Sequence, residues 1–293
     1  MPNGIIMKAL SGFYYVRWEG GTVQCRARGK FRKDGVVPMV GDDVRFELSG
    51  AVTEILPRKN CFIRPAVANV DYLVILCANV NPVTEPFLVD RVAVIAEKAG
   101  CGVIICINKC DLDRGDALYA AFTNHTGYPV IRTSALTGEG CAELIALIRG
   151  KTVAFTGNSG VGKSSLLNAL EPSLTLETGE VSDRLGRGRH TTRHIELFDV
   201  GDTLIADTPG FSSFDLMQMQ RMRKEDLQHC FPEFRPYIGR CRFDDCAHIR
   251  EPGCAVLQAL QEDAIAPTRH ESYRKLYELL ATQQAWELKT TQT

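Results

Sequence analysis

Three stretches of this chain carry residue types at spacings that serve phosphate binding, base reading and metal coordination. The first is Gly157-Asn158-Ser159-Gly160-Val161-Gly162-Lys163-Ser164, followed by Ser165. It fits the phosphate-loop pattern G-x-x-x-x-G-K-[ST], and it has the context that pattern needs: the apolar run TVAF before it and the helical run SSLLNAL after it. Gly157 and Gly162 let the backbone wrap closely around phosphates. The loop N–H groups and the helix N-terminus offset their negative charge. Lys163 is predicted to reach the β- and γ-phosphates, and the Ser164 hydroxyl to hold Mg²⁺.

The second stretch reads a base. Asn108-Lys109-Cys110-Asp111 follows the apolar run GVIICI and fits N-K-x-D. Guanine presents N1–H and its 2-amino group as adjacent donors, and one carboxylate accepts from both. Adenine lacks that pair, so Asp111 selects guanine. The Lys109 stem is predicted to cover a ring face and Asn108 to brace the neighbouring loop. Thr133-Ser134-Ala135 follows the next apolar run and supplies a second base loop, with the Ala135 N–H directed at guanine O6. Asp207 and Gly210 stand in DTPG, which fits D-x-x-G: Asp207 acts on Mg²⁺ through water, and the Gly210 N–H senses the γ-phosphate. Together these motifs imply GTP, with Mg²⁺, as the substrate of a phosphohydrolase.

Between the phosphate loop and DTPG lies GRGRHTTR, residues 186–193. Thr192 is the preferred second Mg²⁺ ligand, with Thr191 as the alternative. Many GTPases place a glutamine after D-x-x-G, but here Phe211 stands there and cannot orient water. His190 is then the candidate for positioning the attacking water. The alternative is an exposed histidine that helps Arg187, Arg189 and Arg193 bind RNA phosphates. The order of the motifs is also unusual, because the base loops precede the phosphate loop. A circular permutation explains this, since the motifs act in space and not in sequence. The chain then leaves the nucleotide region just after DTPG, so nucleotide state is expected to pass directly into the C-terminal region.

The third stretch is CRFDDCAHIREPGC, which places Cys241, Cys246, His248 and Cys254 within fourteen residues. Three thiolates and an imidazole make a closed tetrahedral Zn²⁺ site with no position left for substrate, so the expected role is structural. Cys230 reads as core, and His229 as a weaker competitor for the fourth ligand. Cys77, Cys101 and Cys106 lie in or beside apolar runs and read as small buried hydrophobes.

The elements that must position these groups follow from patterning. Residues 1–65 read as short strands (FYYVRW, TVQCRARG, DDVRFEL, AVTEIL) broken by GG, DG, VGD and SG, hence a small barrel or sandwich, with LPRKNCFIRP as an exit linker. From about residue 70 to 215, short apolar runs (YLVILCA, GVIICIN, YPVIRTS, TVAFTG) alternate with helical stretches such as PFLVDRVAVIAEKAG and EGCAELIALIRG. That pattern implies βαβ units and a mostly parallel sheet. Residues 216–293 read as helices around the Cys/His knot. The expected domains are therefore 1–65, 66–215 and 216–293.

Charge separates the same three parts. Residues 1–65 hold eleven Lys and Arg against six Asp and Glu, residues 66–215 hold twelve against eighteen, and residues 216–293 hold eleven of each. A polyanion is thus expected to dock at the front, where Arg26, Arg28, Lys30, Arg32 and Lys33 surround Phe31. No apolar run is long enough to span a bilayer, and the N-terminus lacks a signal-peptide pattern. A cytoplasmic monomer without membrane contact is expected.

With these motifs assembled, the chain resembles the ribosome small subunit-dependent GTPase A family, also called YjeQ or EngC. The resemblance rests on CRARGKFRK, VGDDV, RPAVANVDY, LVDR, NKCDL, TSALTGEG, GNSGVGKSSLLNAL, GRGRHTTR, DTPGF and the Cys/Cys/His/Cys cluster, and it runs nearly end to end. It implies a multidomain α/β architecture: an N-terminal OB-fold β-barrel, a central circularly permuted P-loop GTPase domain and a C-terminal helical zinc-binding domain. It also implies binding to the small (30S) ribosomal subunit and its rRNA during late maturation, with GTP hydrolysis stimulated by that subunit. In the phosphate loop, Gly160 stands where some potassium-stimulated permuted GTPases carry asparagine. The asparagine here is Asn158, so potassium dependence is not implied.

Overall fold

The computed structural model describes residues 1–33, 35–63, 66–174, 196–207 and 222–290. Side chains of Arg32, Lys33, Asp207 and residues 283–290 fall outside that description.

The longest uninterrupted apolar runs become the central strands. Six strands, β8 (Tyr72–Ala78), β9 (Gly102–Asn108), β10 (Val130–Arg132), β11 (Thr152–Gly157), β12 (Glu196–Val200) and β13 (Thr203–Asp207), lie in the order β10-β9-β8-β11-β13-β12. All neighbours are parallel except β12, which runs antiparallel to β13. Both faces of this sheet are covered, which is why the central strands lack polar alternation. Along β8, Leu73, Ile75 and Cys77 face one apolar cluster, while Val74 and Leu76 face another. The first includes Val89, Val92 and Ala93 of helix α2 (Pro86–Lys98) and Leu118 and Phe122 of α3 (Asp116–Thr123). The second includes Leu144 of α4 (Cys141–Ile148) and Leu166, Leu167 and Leu170 of α5 (Lys163–Leu170). Cys77, Cys101 and Cys106 sit in these cores, and burial pushes the Cys101 and Cys106 thiols up to about 12.

Five N-terminal strands, β1 (Asn3–Leu10), β2 (Phe13–Trp18), β3 (Gly21–Ala27), β4 (Asp43–Glu47) and β5 (Ala51–Ile55), pair in the order β1-β2-β3-β5-β4, and β4 closes back on β1. This is a closed five-stranded barrel of the OB type. Inside it are Ile6, Val16, Cys25, Val44, Phe46 and Val52, each at most 1% exposed. Gly4 lets β1 approach β2, since a Cβ there would lie 2.5 Å from the Arg17 carbonyl oxygen. One helical turn, α1 (Lys30–Lys33), follows β3.

Two features depart from the expected layout. Residues 56–65, read as a linker, contain β6 (Cys61–Ile63), which forms a hairpin with β7 (Ala66–Ala68). The barrel is also hydrogen-bonded into the nucleotide sheet: β1 pairs antiparallel with β12 at Lys8 and Glu196, so the strands make one eleven-stranded sheet. Lys8 and Glu196 form an ion pair at 2.6 Å, and Arg17 pairs with Asp199 beside it.

Among the described residues from 222 onward there is no strand. Two 3₁₀ turns, Lys224–Cys230 and Pro232–Phe234, precede a loop, α6 (Ala255–Gln261) and the long α7 (Pro267–Thr290). No helix among the described residues is long and apolar enough to cross a membrane.

Candidate nucleotide site and metal centre

Parallel strands end their carbonyl edges at one rim, so β9, β10 and β11 deliver NKCD, TSA and the phosphate loop to the same place. Asn108 is the knot between them. It is 1% exposed; its Nδ2 donates to the Val161 carbonyl in the phosphate loop at 2.8 Å, and its Oδ1 accepts from Thr133 Oγ1 at 3.2 Å. Lys109 adds a second tie. Its ammonium donates to the Gly160 carbonyl at 2.7 Å and to the Asn81 carbonyl, and its backbone is left-handed at φ 62°. Ser134 Oγ donates to Asp111 Oδ1 at 2.6 Å, which sets the plane of the carboxylate assigned to the base. Thr133 itself donates its backbone N–H to Ile107 and accepts from Cys110 N–H, which keeps the two base loops in register.

The loop after β11 is shaped by its glycines. Gly162 is the residue before α5, with φ 92°, and a Cβ there would lie 2.5 Å from Asn108 Nδ2. The N-cap residue of α5 is Gly162 itself, which has no side chain to cap the helix. Gly157 ends β11, Asn158, Ser159 and Gly160 form the turn that follows, and Lys163, Ser164 and Ser165 open α5. Asp207 is the last residue of β13, the strand next to β11. His190, Thr191, Thr192 and Gly210 lie outside the described residues.

The second site lies between the 3₁₀ turns and α7. Cys241, Cys246, His248 and Cys254 bring their ligand atoms within 4.8 Å of one another. His248 Nδ1 is 3.5 Å from Cys241 Sγ and 3.3 Å from Cys254 Sγ, and the two sulfurs are 3.9 Å apart. A tetrahedral zinc with ordinary bond lengths separates its ligands by about 3.5–3.8 Å, so the donor set fits that ion. Burial pushes the Cys246 thiol up to about 12 and lowers the His248 imidazole from its ordinary value, disfavouring its charged form. A bound dication reverses the first effect and suits the second. His248 Nε2 meets Gln228 Oε1 at 2.8 Å, a partner that fixes the ring orientation. Cys230 is buried outside this cluster, with its thiol directed at the Asp226 carbonyl.

Comparison with known families decides the assignment. Residues 3–53 match the RsgA N-terminal domain and residues 55–217 match the RsgA GTPase. The chain belongs to the RsgA GTPase family. The small ribosomal subunit biogenesis GTPase RsgA of Geobacillus thermodenitrificans is 46% identical over 282 residues, covering 93% of this chain and 95% of that one. The protein of the same name from Bacillus cereus strain ATCC 14579 is 44% identical over 287 residues, covering 95% and 97%. Among solved structures, YjeQ from Thermotoga maritima superposes with a TM-score of 0.81 at 33% identity, covering 96% of this chain and 98% of that one. YloQ, described as a circularly permuted GTPase, gives 0.79 at 37%, covering 97% and 96%.

As an RsgA GTPase, the chain pairs Mg²⁺ with GTP and carries a cluster able to hold one metal ion. The basic front end differs from its sequence reading in one respect. Phe31 is 7% exposed and packs into the barrel core, so it offers no face for a base to stack on. The aromatic beside the basic run is Phe13, with the Arg26 guanidinium 4.4 Å from its ring centre. Arg28 is paired with Glu47, and Lys30 lies 5.3 Å from the Phe31 ring centre.

Sequence reasoning passed over two structural residues, Gly41 and Asp42 of VGDDV. Asp42 is fully buried and accepts from Arg58 Nε at 2.6 Å, Arg58 Nη2 at 2.8 Å and the Met39 N–H at 2.7 Å. Gly41, at φ 88°, lets the turn meet the Ala68 carbonyl, which a Cβ would approach to 2.2 Å.

Proposed function

We propose that this chain binds the small ribosomal subunit and hydrolyses GTP as a timer for a late step of that subunit's maturation, with the subunit stimulating turnover. The observation that carries the nucleotide half is the Asn108 and Lys109 knot, which joins the base loops to the phosphate loop. The ribosomal half is supported by the printed names of relatives 44–46% identical over nearly the whole chain. In this reading the bound GTP contacts Asn108, Lys109, Asp111, Ser134 and Ala135 at the base. Residues 157–165 hold the phosphates, Mg²⁺ is held by Ser164 and Thr192 with Asp207 acting through water, and the Gly210 N–H senses the γ-phosphate. His190 orients the attacking water. Cys241, Cys246, His248 and Cys254 hold one structural zinc, whose contribution is to fix a region with little core of its own. Arg26, Arg28, Lys30, Arg32 and Lys33 meet rRNA phosphates. The three domains are 1–65, 66–215 and 216–293; the protein acts as a cytoplasmic monomer, and GTP state passes through the loop after Asp207 to the C-terminal domain.

The test is GTP turnover by wild type and His190→Ala, with and without small subunits. Stimulation of wild type, lost in the variant while subunit binding is retained, is the expected result. Unstimulated turnover would remove the ribosomal timer. Hydrogen exchange with no difference between GTP and GDP beyond residue 215 would remove the coupling.

A further inference from the structure

A fully buried arginine demands charged partners, and α7 carries one. Arg269 is 1% exposed, and its partners Asp90 and Glu233 are 0% and 7% exposed. Arg269 Nε and Nη2 donate to the two Glu233 oxygens at 2.6 and 3.1 Å, and Nη1 donates to Asp90 Oδ1. The guanidinium carbon lies 4.6, 5.7 and 5.9 Å from the ring centres of Phe231, Phe122 and Tyr128. Glu233 and Phe231 come from the C-terminal region, whereas Asp90 is on α2, and Phe122 and Tyr128 belong to the nucleotide region. A buried ion triad adds little stability over a well-packed apolar one, but it fixes one register between the elements that supply it.

Both ends of this triad lead to a site. On α7, the next residues hold the metal loop: His270 Nε2 meets the His248 carbonyl at 2.8 Å, and Tyr273 donates its hydroxyl hydrogen to the Ala247 carbonyl at 2.9 Å. On α2, Arg91 follows Asp90 and lines a cavity of about 20 Å³ together with Thr156, Gly157 and Asn158 of the phosphate strand and loop. The loop that enters α2 is closed on β8 by Thr84, whose N–H donates to the Ala78 carbonyl at 2.8 Å while its hydroxyl accepts from the Ala78 N–H at 3.1 Å. The Asn81 carbonyl in that loop takes the Lys109 ammonium that also holds Gly160.

We propose that Arg269 is a positioning residue for the nucleotide site: through Asp90 it sets α2, and α2 sets the Asn81 loop that clamps Lys109 against the phosphate loop. The inference rests on the GTP reading of that site. Guanine nucleotide binding and the fixed placement of the metal loop are then one coupled equilibrium, carried by a rigid helix.

A matched pair of variants in the full chain tests it. Asp90→Asn weakens the link to α2 and leaves Arg269 with Glu233, whereas Glu233→Gln leaves the α2 link intact. Each removes one buried charge without changing shape, so both lower the thermal midpoint. Release of a fluorescent GDP analogue is expected to be about five-fold faster or more in Asp90→Asn, and within two-fold of wild type in Glu233→Gln. Equal rates in the two variants would show a structural plug and overturn the proposal. Should either variant fail to fold, hydrogen exchange on wild type decides: GDP is expected to slow exchange in residues 86–98 and 267–276, and slowing confined to the phosphate and base loops would overturn it. Wild type that failed to prefer GDP over ADP would overturn the reading of the site, and the proposal with it.

Discussion

Replacing Asn108 with alanine tests whether the knot between the loops is what assembles the nucleotide site. The side chain is 1% exposed and makes two hydrogen bonds, one to the Val161 carbonyl at 2.8 Å and one from the Thr133 hydroxyl at 3.2 Å. Each is worth about 1 kcal/mol net, and the buried partners lose their satisfaction when it goes. In the free variant the loops relax and hydrate. To bind nucleotide they must be brought back together without the tie, so a loss of about 2 kcal/mol falls on affinity, and GDP binding weakens about 30-fold. Thr133→Val removes the longer of the two Asn108 bonds, together with the Thr133 hydroxyl's contact with Cys106 Sγ at 3.1 Å, away from the loops. It is expected to weaken GDP binding about five-fold, for a loss of about 1 kcal/mol from the Asn108 tie. Calorimetric titration with GDP, run beside urea unfolding of the same proteins, separates the effects. If Asn108→Ala unfolds at lower urea but binds GDP within three-fold of wild type, the loops are held by other contacts and the reasoning fails.

Metal analysis of the purified chain is expected to find one zinc per molecule and none in Cys254→Ser; chelation should then raise hydrogen exchange across residues 241–261, whose fold depends on the ligand set. Asp42→Ala is expected to cost about 2–3 kcal/mol in urea unfolding, because it strips a fully buried acceptor from Arg58 and the Met39 N–H, while Arg58 can still reach water. Raising salt from 0.15 to 1 M shortens the screening length from about 8 to about 3 Å. It should speed amide exchange in β12, where the Lys8–Glu196 and Arg17–Asp199 pairs are part-exposed, and at the C-terminal end of α2, where Glu97 and Lys98 pair with Arg235 and Asp226. It should leave the middle of α2 around Asp90 unchanged, since the Arg269 triad is buried.

The loops proposed for the nucleotide were legible because the chemistry proposed for them fixes residue types. A carboxylate must read guanine, glycines must line the phosphate turn, and both faces of β8, β9 and β11 are buried, so those strands write themselves as continuous apolar runs. The Cys/His cluster was legible for the same reason. β1 was not: of its eight residues only Ile6 is fully buried, so NGIIMKAL shows neither period two nor a buried run. β12 was missed likewise, and its seam with β1 joins residues 188 positions apart in sequence. The Arg269 triad left no local sign, because an arginine on an amphipathic helix reads as solvent-facing until three separate segments converge on it. Phe31 was misjudged because a basic neighbourhood suggested exposure, whereas the ring turns into the barrel.

The two apolar clusters show how three regions share one GTPase. The cluster holding α4 and α5 draws every described member from residues between Val74 and Ile205, so it is private to the nucleotide fold and carries the phosphate-loop residue Val161. The cluster on the opposite face runs without a break from Ile6 in the barrel, through Leu73, Ile75 and α2, to Leu276 and Leu280 on α7. Side-chain alternation along β8 therefore divides labour within a single strand: one face builds the site, and the other ties it to its neighbours. Among the described residues, the barrel meets the nucleotide region at β12, beside the Asp207 strand, and at β7, and the C-terminal region meets it at α2 and around Phe122 and Tyr128. An apolar-to-small substitution on the private face, such as Leu166→Ala, disturbs the site from beneath. The same change at Ile75 loosens the common core and reaches the barrel and the metal region together.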